Sequence, residues 1–282
     1  MAYDNFTYTE NNFLFSHNFD KAPVNVDTHM HNCYELYYYI SGDLTYYIEG
    51  HAYNLEKNDL IITNMRELHR IIFNSTNGYE RKFIQFKAQY IAPYQTGQYD
   101  MLGFANKRKL GYFNKINAQD VLSNKIDVLW NSIEEYAKTN VPESTILMKS
   151  YLVQMLVKIN NIFLKKQNNT SIYPKYDNKI SEILDYINNN FSKRITLDLL
   201  ERQFHFNRYY LCHLFMTNTG FTVNEYITYK RILKAQQLLL SGNSIIYIAN
   251  EVGFGDYTSF YKAFKKIVGI SPKAYMKSNI SK

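Results

Sequence analysis

Cysteine is scarce in this sequence, where it occurs twice in 282 residues. Cys33 and Cys212 lie far apart and fall in different parts of the predicted organisation. Two such residues exclude a disulfide framework and a zinc site built from several cysteines. We expect both thiols to be reduced and packed, as is usual for a cytoplasmic protein.

Long apolar runs are also lacking. No stretch reaches the roughly 18 consecutive apolar residues from which a transmembrane helix is predicted. The first residues, MAYDNFTYTENNF, lack the basic segment and the following apolar segment of a secretory signal peptide. These absences predict a cytoplasmic protein that is not anchored in a membrane.

An excess of charge of one sign is missing from residues 1–176, which contain 18 Lys and Arg against 17 Asp and Glu. Residues 177–282 contain 14 Lys and Arg against eight Asp and Glu, so nearly all of the formal net charge of +7 lies there. A basic end on a nearly neutral domain is typical of a protein that binds a polyanion. From charge alone, nucleic acid, an acidic membrane and an unpartnered basic surface all stay open.

Residues that favour β-strands are abundant in the front part of the chain. From residue 25 to residue 87, short apolar and aromatic runs such as YELYYYISG, LTYYIEGHAYNL and HRIIFN alternate with turns. This spacing predicts an antiparallel sandwich or a small barrel. Residues 89–118 are interpreted as a loop with short strand pieces.

Helical patterns follow. One helix is predicted from residue 118 to residue 139, and a second begins near Pro142 and ends near Lys165. The apolar stripe of the second helix packs either on the β-rich part or on the same helix of a second subunit. The Asn-rich segment that follows contains Pro174 and indicates a linker. The predicted organisation is an α+β two-domain protein, with a β-rich domain at 1–117, a helical dimerisation segment at 118–165, a linker at 166–177 and an all-helical domain at 178–282.

The last part of the chain contains a repeat. HFNRYYLCHLFMTN, residues 205–218, resembles GFGDYTSFYKAFKK, residues 253–266. Residues recur 49 positions on in the pairs Leu211 and Phe260, Phe215 and Phe264, Gly220 and Gly269, Thr222 and Ser271, Tyr226 and Tyr275. Two earlier pairs, Leu200 with Ile248 and Phe206 with Phe254, have a spacing of 48, so the second copy has one added residue in its turn.

The second copy is interpreted as a helix-turn-helix. A short helix from Ile245 to Val252 is followed by Gly253, which permits a left-handed turn, and Asp256 can cap the next helix. That helix buries Phe260 and Phe264 and leaves polar and cationic groups outside, which suit base edges and phosphates in a major groove. The predicted DNA-binding residues are Tyr257, Thr258, Tyr261, Lys262 and Lys265 in the second copy and Asn207, Arg208, Tyr209, Cys212 and His213 in the first.

The segment RILKAQQLLLSGNSIIYIANEVGFGDYTSFYKAFKKIVGISPKAY resembles the C-terminal domain of AraC-type transcription regulators. The residues in register with that family are Arg231, Ala235, Leu239, Ile248, Ala249, Gly253-Phe254, Phe260, Phe264-Lys265, Gly269 and Ser271-Pro272. The resemblance implies two helix-turn-helix units joined by one long helix, here Val223 to Leu240, that read two major-groove segments of double-stranded DNA about one helical turn apart. It also implies activation more often than repression.

The first copy departs from the family pattern. Glu201 stands where an alanine is expected, and His205 stands where a glycine is expected in the turn. A side chain at a left-handed position costs about 1 kcal/mol, and a carboxylate where helices cross needs a partner or must tilt outward. We therefore expect the second helix-turn-helix to supply more of the base specificity.

The front domain contains THMHNCYELYYYISG, residues 28–42. His29, His31, Glu35 and Gly42 form the spacing H-x-H-x3-E-x6-G, which resembles the first motif of the cupin superfamily, and His69 lies where a second motif places its histidine. The resemblance implies an N-terminal cupin-like β-barrel with packed helices. Alternation on one strand is expected to point His29, His31, Cys33, Glu35, Tyr37 and Tyr39 into this barrel.

These groups permit two interpretations. Imidazole and carboxylate together can hold Fe, Mn, Ni or Zn, as in a metal-dependent cupin enzyme or a metal-assisted sensor. Against this interpretation, Asn64 stands where the second motif has proline, and AraC-type sensor domains commonly keep the H-x-H and the Glu without catalysis. The sequence therefore predicts no catalytic residue, no cofactor and no metal, with His29, His31, Glu35 and His69 as the candidate ligands if a metal is bound.

The preferred interpretation is an effector pocket. Aromatic faces combined with hydrogen-bonding groups suit a carbohydrate. The predicted pocket residues are His29, His31, Glu35, Tyr37, Tyr39, Tyr46 and His69. The predicted function is a homodimeric, effector-responsive regulator of AraC type that senses a sugar or related polar metabolite and has no membrane partner. The alternatives are a metal-dependent cupin enzyme with a basic tail and a dimeric regulator without a ligand.

Overall fold

The computed structural model describes residues 5–31, 33–49, 51–65, 67–139, 141–167, 178–241 and 243–280. The chain divides after residue 175 into two compact units, and each is described by itself. Of the linker predicted at 166–177, residues 168–177 lie outside the described residues, and residues 166 and 167 form the end of a helix. Among the described helices, none combines the length and the hydrophobicity of a membrane span.

The first unit is built on two antiparallel sheets. Its strands within the described residues are β1 (Phe6–Glu10), β2 (Phe13–Asp20), β3 (Val26–His29), β4 (Tyr34–Ser41), β5 (Leu44–Ile48), β6 (His51–Asn54), β7 (Leu60–Thr63), β8 (His69–Phe73), β9 (Tyr79–Phe86) and β10 (Lys115–Ile116). The larger sheet has the order β1-β2-β9-β4-β7-β10, and the smaller sheet has the order β3-β8-β5-β6.

The antiparallel prediction is confirmed, but a closed barrel does not form among the described strands. The edge strands of the larger sheet, β1 and β10, pair with no strand of the smaller sheet in the described residues. The hairpin of β1 and β2 precedes residue 25 and was not predicted. Its sequence signal is the alternation of FTYTE and FLFSHNFD around Asn12, which adopts φ 65° in the turn.

Strand β4 is buried on both faces, which explains its nearly continuous aromatic run. Tyr34, Leu36 and Tyr38 pack with the core under the helices. Tyr37 and Tyr39 pack with side chains of the smaller sheet. A strand covered on both sides loses the alternation of polar and apolar residues that a solvated sheet shows.

The helices of the first unit cover the larger sheet. They are α1 (Ala88–Ile91), α2 (Gly103–Asn106), α3 (Ala118–Ser123), α4 (Ile126–Thr139) and α5 (Ser144–Gln167). The predicted single helix 118–139 is wrong, because Lys125 adopts φ 54° and separates α3 from α4. Trp130 on α4 is fully buried and stacks on Tyr38 of β4, with ring centroids 5.6 Å apart. The stripe on α5 therefore packs on the β-rich part, one of the two places predicted for it.

His17 on β2 ties the larger sheet to α4. Its Nδ1 lies 2.8 Å from Glu134 Oε1, and its Nε2 lies 2.8 Å from Glu80 Oε1. Lys82 Nζ lies 2.7 Å from Glu134 Oε2. The hydrogen bond to Glu134, supported by Glu80, raises the pKa of His17 although its partial burial acts in the other direction.

The second unit is helical throughout its described residues. Its helices are α6 (Asn178–Asn190), α7 (Leu197–Phe204), α8 (Arg208–Thr219), α9 (Val223–Leu239), α10 (Ile245–Glu251), α11 (Tyr257–Val268) and α12 (Pro272–Ile280). The two helices with predicted bounds, Val223 to Leu240 and Ile245 to Val252, agree with α9 and α10 to within one residue. Side-chain oxygens of Thr196, Asn207, Thr222, Ser244 and Asp256 accept hydrogen bonds from the backbone N–H three residues on, which caps α7, α8, α9, α10 and α11.

The two copies of the sequence repeat pack their aromatic side chains in the same way. Phe215 meets Tyr226 edge to face with centroids 5.4 Å apart, and Phe264 meets Tyr275 edge to face at 5.7 Å. Gly220 and Gly269 end α8 and α11 in the left-handed conformation, which glycine adopts without a steric cost. The predicted doubling of the helix-turn-helix is confirmed.

Candidate functional site

The second helix-turn-helix consists of α10, the turn at residues 252–256 and α11. Gly253 has φ +92°, and a Cβ placed there would lie 2.3 Å from the backbone oxygen of Ser192. The turn therefore needs glycine for two reasons, conformation and space. Phe254 packs on Phe260, with ring centroids 5.4 Å apart, and closes the small core of this unit.

Helix α11 presents an exposed polar and cationic face. Asp256 Oδ1 accepts from the Ser259 N–H at 2.8 Å and caps the helix, as predicted. Behind the face, Phe260 and Phe264 are fully buried. The predicted DNA-binding residues on it are Tyr257, Thr258, Lys262 and Lys265, which are exposed, and Tyr261, which is half-buried.

Helix α8 presents the corresponding face of the first helix-turn-helix. Asn207 Oδ1 accepts from the Tyr210 N–H at 2.8 Å, and the left-handed conformation predicted for His205 is confirmed at φ 56°. Tyr209 is 82% exposed and stacks on the exposed His213 at 6.4 Å, so both rings are available to a ligand. Cys212 is half-buried on the same helix.

Arg208 differs from the cations of α11 because acidic residues of α7 hold it. Its guanidinium donates to the Asp198 carboxylate and lies 3.4 Å from Glu201 Oε2. Of the two outcomes predicted for Glu201, a partner or an outward tilt, the structure shows a partner, and that partner is a residue predicted to bind DNA. The two carboxylates contact Nη2 of Arg208 and offset part of the positive charge that this side chain would present to DNA.

Arg231 on α9 has a structural task that the sequence did not reveal. Its Nε donates to the Phe191 carbonyl at 2.7 Å, and its Nη2 donates to the Lys193 carbonyl at 2.9 Å. The guanidinium also lies over the Phe254 ring, 5.6 Å from its centroid. One side chain of the linking helix therefore ties the segment after α6 to the core of the second helix-turn-helix.

The first unit contains a cavity of about 510 Å³ that is lined by residues of both sheets. It is lined by residues of β2 and the segment after it, and by residues of β3, β4, β5, β8 and β9. The predicted pocket residues that line it are His29, His31, Glu35, Tyr37 and Tyr46. Sequence reasoning missed several further lining residues, namely Phe19, Asp20, Lys21, Tyr79, Arg81 and Gln85.

Two predicted pocket residues do not line the cavity. His69 is 1% exposed and lies behind it, with its ring 4.4 Å from that of His29. Tyr39 is not among the lining residues, and its hydroxyl donates to the Gly42 carbonyl at 2.5 Å.

The expectation that His29, His31 and Glu35 share one strand face is wrong. Strand β3 ends at His29, β4 begins at Tyr34, and these strands belong to different sheets. The histidines and the carboxylate nevertheless meet, because the chain crosses from one sheet to the other between them. His31 Nε2 lies 3.1 Å from Glu35 Oε2.

Glu35 is the buried anion at the centre of this region. It accepts hydrogen bonds from Gln85 Nε2 at 2.7 Å and from the Tyr46 hydroxyl at 3.2 Å. Burial by itself raises the pKa of Glu35. The hydrogen bonds from His31 and Gln85 are among the interactions that outweigh burial and lower this pKa to about 2. Burial lowers the pKa of His69 to about 4. Near neutral pH, Glu35 is therefore ionised and His69 is neutral.

The tyrosines of the cavity carry neutral hydroxyl groups. Tyr37 and Tyr79 hydrogen-bond to each other through their hydroxyls, and burial raises the pKa of Tyr37 and of Tyr46 well above the usual value. Arg81 lies over the Tyr79 ring, 4.5 Å from its centroid, and pairs with the Asp20 carboxylate. The cavity wall therefore offers hydroxyl groups, aromatic faces and an ion pair.

Two sequence profiles of known families match this chain. Residues 22–122 match the AraC-like ligand binding domain, and residues 200–278 match a helix-turn-helix domain. The chain belongs to the AraC-type transcription regulators. The cavity lies in the part of this AraC-type regulator that matches the ligand-binding domain, and α11 lies in the part that matches the helix-turn-helix domain.

Two transcription activators are similar to this AraC-type chain over most of its length. The lactose operon transcription activator of Staphylococcus xylosus is 27% identical over 244 residues, which are 83% of this chain and 80% of that protein. The transcriptional activator RhaS of Yersinia pestis bv. Antiqua (strain Angola) is 26% identical over 246 residues, 87% of each. Among solved structures, the C-terminal domain of the response regulator yesN from Fusobacterium nucleatum is 32% identical with a TM-score of 0.34, over 36% of this chain and 99% of that one.

Proposed function

We propose that this AraC-type regulator is a homodimeric transcription activator of the cytoplasm whose effector is a neutral sugar or a related polyhydroxylated metabolite. The chemistry of the cavity wall carries the effector part of this proposal. No catalytic step is part of it, since the family consists of transcription regulators rather than enzymes.

The charges that line the cavity favour a neutral ligand. Asp20 and Glu35 are opposed by Lys21 and Arg81, so the wall has two formal charges of each sign. A phosphorylated or carboxylated ligand would bring an anion next to Glu35, where like charges repel. Hydroxyl groups of a sugar can donate to the Glu35 carboxylate and accept from the Gln85 amide without that repulsion.

The aromatic rings of the wall suit the apolar faces of a sugar ring. Tyr37, Tyr46 and Tyr79 combine such faces with hydroxyl groups that can donate and accept. The activator part of the proposal is supported by the similar proteins, two of which are named transcription activators, one of them of a lactose operon.

The effector is tested by the melting temperature of the first unit in the full-length chain. Trp130 is the single tryptophan and is fully buried in that unit, so its fluorescence reports the unit selectively. A ligand at about 100 times its Kd adds about 2.7 kcal/mol of stability. We expect such a shift with a neutral mono- or disaccharide and none with sugar phosphates.

Two tyrosine variants make this test specific. Tyr79→Phe removes a cavity hydroxyl and is expected to weaken sugar binding by about two- to tenfold, the value of one hydrogen bond. Tyr39→Phe is the matched control, because its hydroxyl bonds to Gly42 outside the cavity lining, and Kd should not change. If no sugar stabilises the protein, or if both variants weaken binding equally, the effector proposal is wrong and a regulator without a ligand becomes the better account.

DNA binding is proposed to depend mainly on the second helix-turn-helix. Lys262 and Lys265 are exposed on α11 and have no acidic partner among the ion pairs of the described residues. On α8, by contrast, Arg208 is already paired with Asp198 and Glu201. Affinity for the upstream DNA should therefore fall with salt mainly through the cations of α11.

Dimerisation is proposed to use the exposed side of α5. Ile146, Val153, Val157 and Leu164 lie on one face of that helix, because steps of seven, four and seven residues return to nearly the same direction. Val153 and Val157 in the middle of this face are half-buried and also touch the core of the unit. Ile146 is 66% exposed and Leu164 is 44% exposed. Effector binding would then favour one placement of the two DNA-binding domains of the dimer over another.

A further inference from the structure

The exposed sides of α8 and α11 differ in chemistry, although the two helices hold equivalent places in the repeat. Positions three and four residues apart lie on one face of a helix. On α11 the face away from the buried phenylalanines contains Thr258, Lys262 and Lys265. The positions 49 residues earlier on α8, which we call the outer face of α8, are Tyr209, His213 and Met216.

All three side chains of the outer face of α8 reach solvent. Tyr209 is 82% exposed and Met216 is 41% exposed. The ring of His213 is exposed too and stacks on the Tyr209 ring, with an angle of 20° between their planes. Large side chains of low polarity that are scattered singly over a surface need no explanation, whereas neighbours that form one patch point to a binding partner.

The position of the outer face identifies DNA as its partner. Helix α8 is the second helix of the first helix-turn-helix, the element that lies in the major groove in this motif. Residues 177–282, which include it, contain 14 Lys and Arg against eight Asp and Glu, as suits a domain that approaches phosphates. The outer face of α8 therefore meets base edges in the place where α11 presents its lysines.

Helix α8 offers few of the groups that usually read purine bases. Guanine is read by Arg or Lys, and adenine by Asn or Gln. Of these residue types α8 contains only Arg208 and Asn218. Arg208 is held by the carboxylates of α7, and the Asn218 amide donates to the Leu214 carbonyl at 2.8 Å. The outer face is left with apolar contact, and the apolar group in the major groove is the C5-methyl group of thymine.

We propose that the outer face of α8 reads thymine through its C5-methyl group in the half-site of the first helix-turn-helix. Tyr209 and Met216 pack on methyl groups, and His213 orients the Tyr209 ring by stacking on it. The inference rests on the DNA binding proposed above and adds a base preference to it. Such contacts neutralise no phosphate, so their contribution to affinity does not depend on salt, unlike that of the lysines of α11.

Replacement of thymine by uracil tests the inference, because it removes the methyl group and keeps the base pair. Duplexes that the full-length chain selects from a random-sequence pool supply the binding site. Each thymine of the selected site is then replaced singly by uracil, and the Kd is measured. We expect affinity to fall about three- to fivefold at one or more thymines, the value of one buried group of methylene size.

Variants of Tyr209 assign this loss to α8. In Tyr209→Ala, the unsubstituted duplex should bind at least about fivefold more weakly with an unchanged slope of log K against log salt, and at least one uracil loss should disappear. Tyr209→Phe should keep every uracil loss, which separates the ring from its hydroxyl group. The matched control is Tyr247→Ala, at a tyrosine of α10 that is 53% exposed, and it should also keep every uracil loss. Far-UV circular dichroism shows whether each variant keeps its helices.

Three results would overturn the inference. In the first, no uracil substitution costs more than about twofold while affinity still falls with salt, so the proposed DNA binding stands without reading of thymine by α8. In the second, Tyr209→Ala keeps every uracil loss, which places the reading of thymine elsewhere. In the third, Tyr209→Ala binds the unsubstituted duplex as tightly as the unchanged protein does, which leaves the outer face of α8 to a protein partner. A chain that selects no duplex from the pool would overturn the proposed DNA binding together with this inference.

Discussion

Gly253→Ala tests how the second helix-turn-helix is built. Gly253 has φ +92°, and the added methyl would lie 2.3 Å from the Ser192 carbonyl oxygen. The residues on either side of Ser192 cannot move away freely, because Arg231 binds the carbonyls of Phe191 and Lys193. The methyl group must therefore distort the turn or break the contacts of Arg231.

The expected cost has two parts. A left-handed conformation costs an alanine about 1–2 kcal/mol, and the overlap with backbone adds to it, so we expect a loss of roughly 2–4 kcal/mol. His205→Gly is the opposite substitution, a side chain replaced by glycine, at the equivalent turn of the first copy, where φ is 56°. Relief of the left-handed strain is opposed by the larger freedom of glycine in the unfolded chain, so its stability should stay within about 1 kcal/mol of the unchanged protein.

Urea denaturation followed by two probes measures both variants. Far-UV circular dichroism follows the helices, while Trp130 fluorescence follows the first unit alone. We expect Gly253→Ala to lower the midpoint of the circular dichroism transition of the second unit and to leave the Trp130 midpoint unchanged. If the circular dichroism midpoint of Gly253→Ala does not move, or if His205→Gly loses as much stability, the argument from φ and the Ser192 contact is refuted.

Three further predictions concern DNA binding, pH and assembly. In a titration on upstream DNA, Lys262→Ala should weaken binding more than His213→Ala and reduce the slope of log K against log salt by about 1. The reverse order of the two variants would contradict the proposal that the second helix-turn-helix contributes most to DNA binding. Because the pKa of His17 is raised in the folded protein, its bonds to Glu134 and Glu80 should stabilise the first unit fully below pH 6.5, and this stabilisation should be lost as the pH rises through the raised pKa. Melting curves of His17→Asn followed by Trp130 fluorescence should not show this loss of stability with pH. If the variant keeps the pH dependence of the unchanged protein, His17 is not its cause. Ile146→Lys places a charge on the exposed face of α5 and should shift the mass measured by light scattering from dimer toward monomer, and an unchanged dimer would exclude that face.

Features encoded by neighbouring residues were predictable from the sequence. Helix ends in the second unit depend on caps such as Asn207 and Asp256, whose side chains bond to backbone three residues on. The left-handed turns at His205 and Gly253 are equally local. The repeat revealed which aromatic positions would pack alike, because both copies have their buried aromatic residues at the same spacing.

Features that depend on distant contacts were missed. The hairpin of β1 and β2 is stabilised by pairing with β9, some 60 to 70 residues away, so its own short strands carry a weak signal. The break at Lys125 separates α3 from α4 and leaves α4 free to pack Trp130 against the sheet. The role of Arg231 was hidden because its partners are backbone carbonyls, which leave no trace in the residue types around them.

The sequence by itself determined that the chain has a β-rich part followed by a doubled helix-turn-helix with a basic, exposed face, since periodicity, caps and charge are local properties. Only the tertiary structure decided where the H-x-H segment places its side chains. His29 and Glu35 lie on strands of different sheets rather than on one strand, and His69 reaches them from a third strand. Their meeting depends on how two sheets face each other, a relation between segments that no spacing along one strand contains.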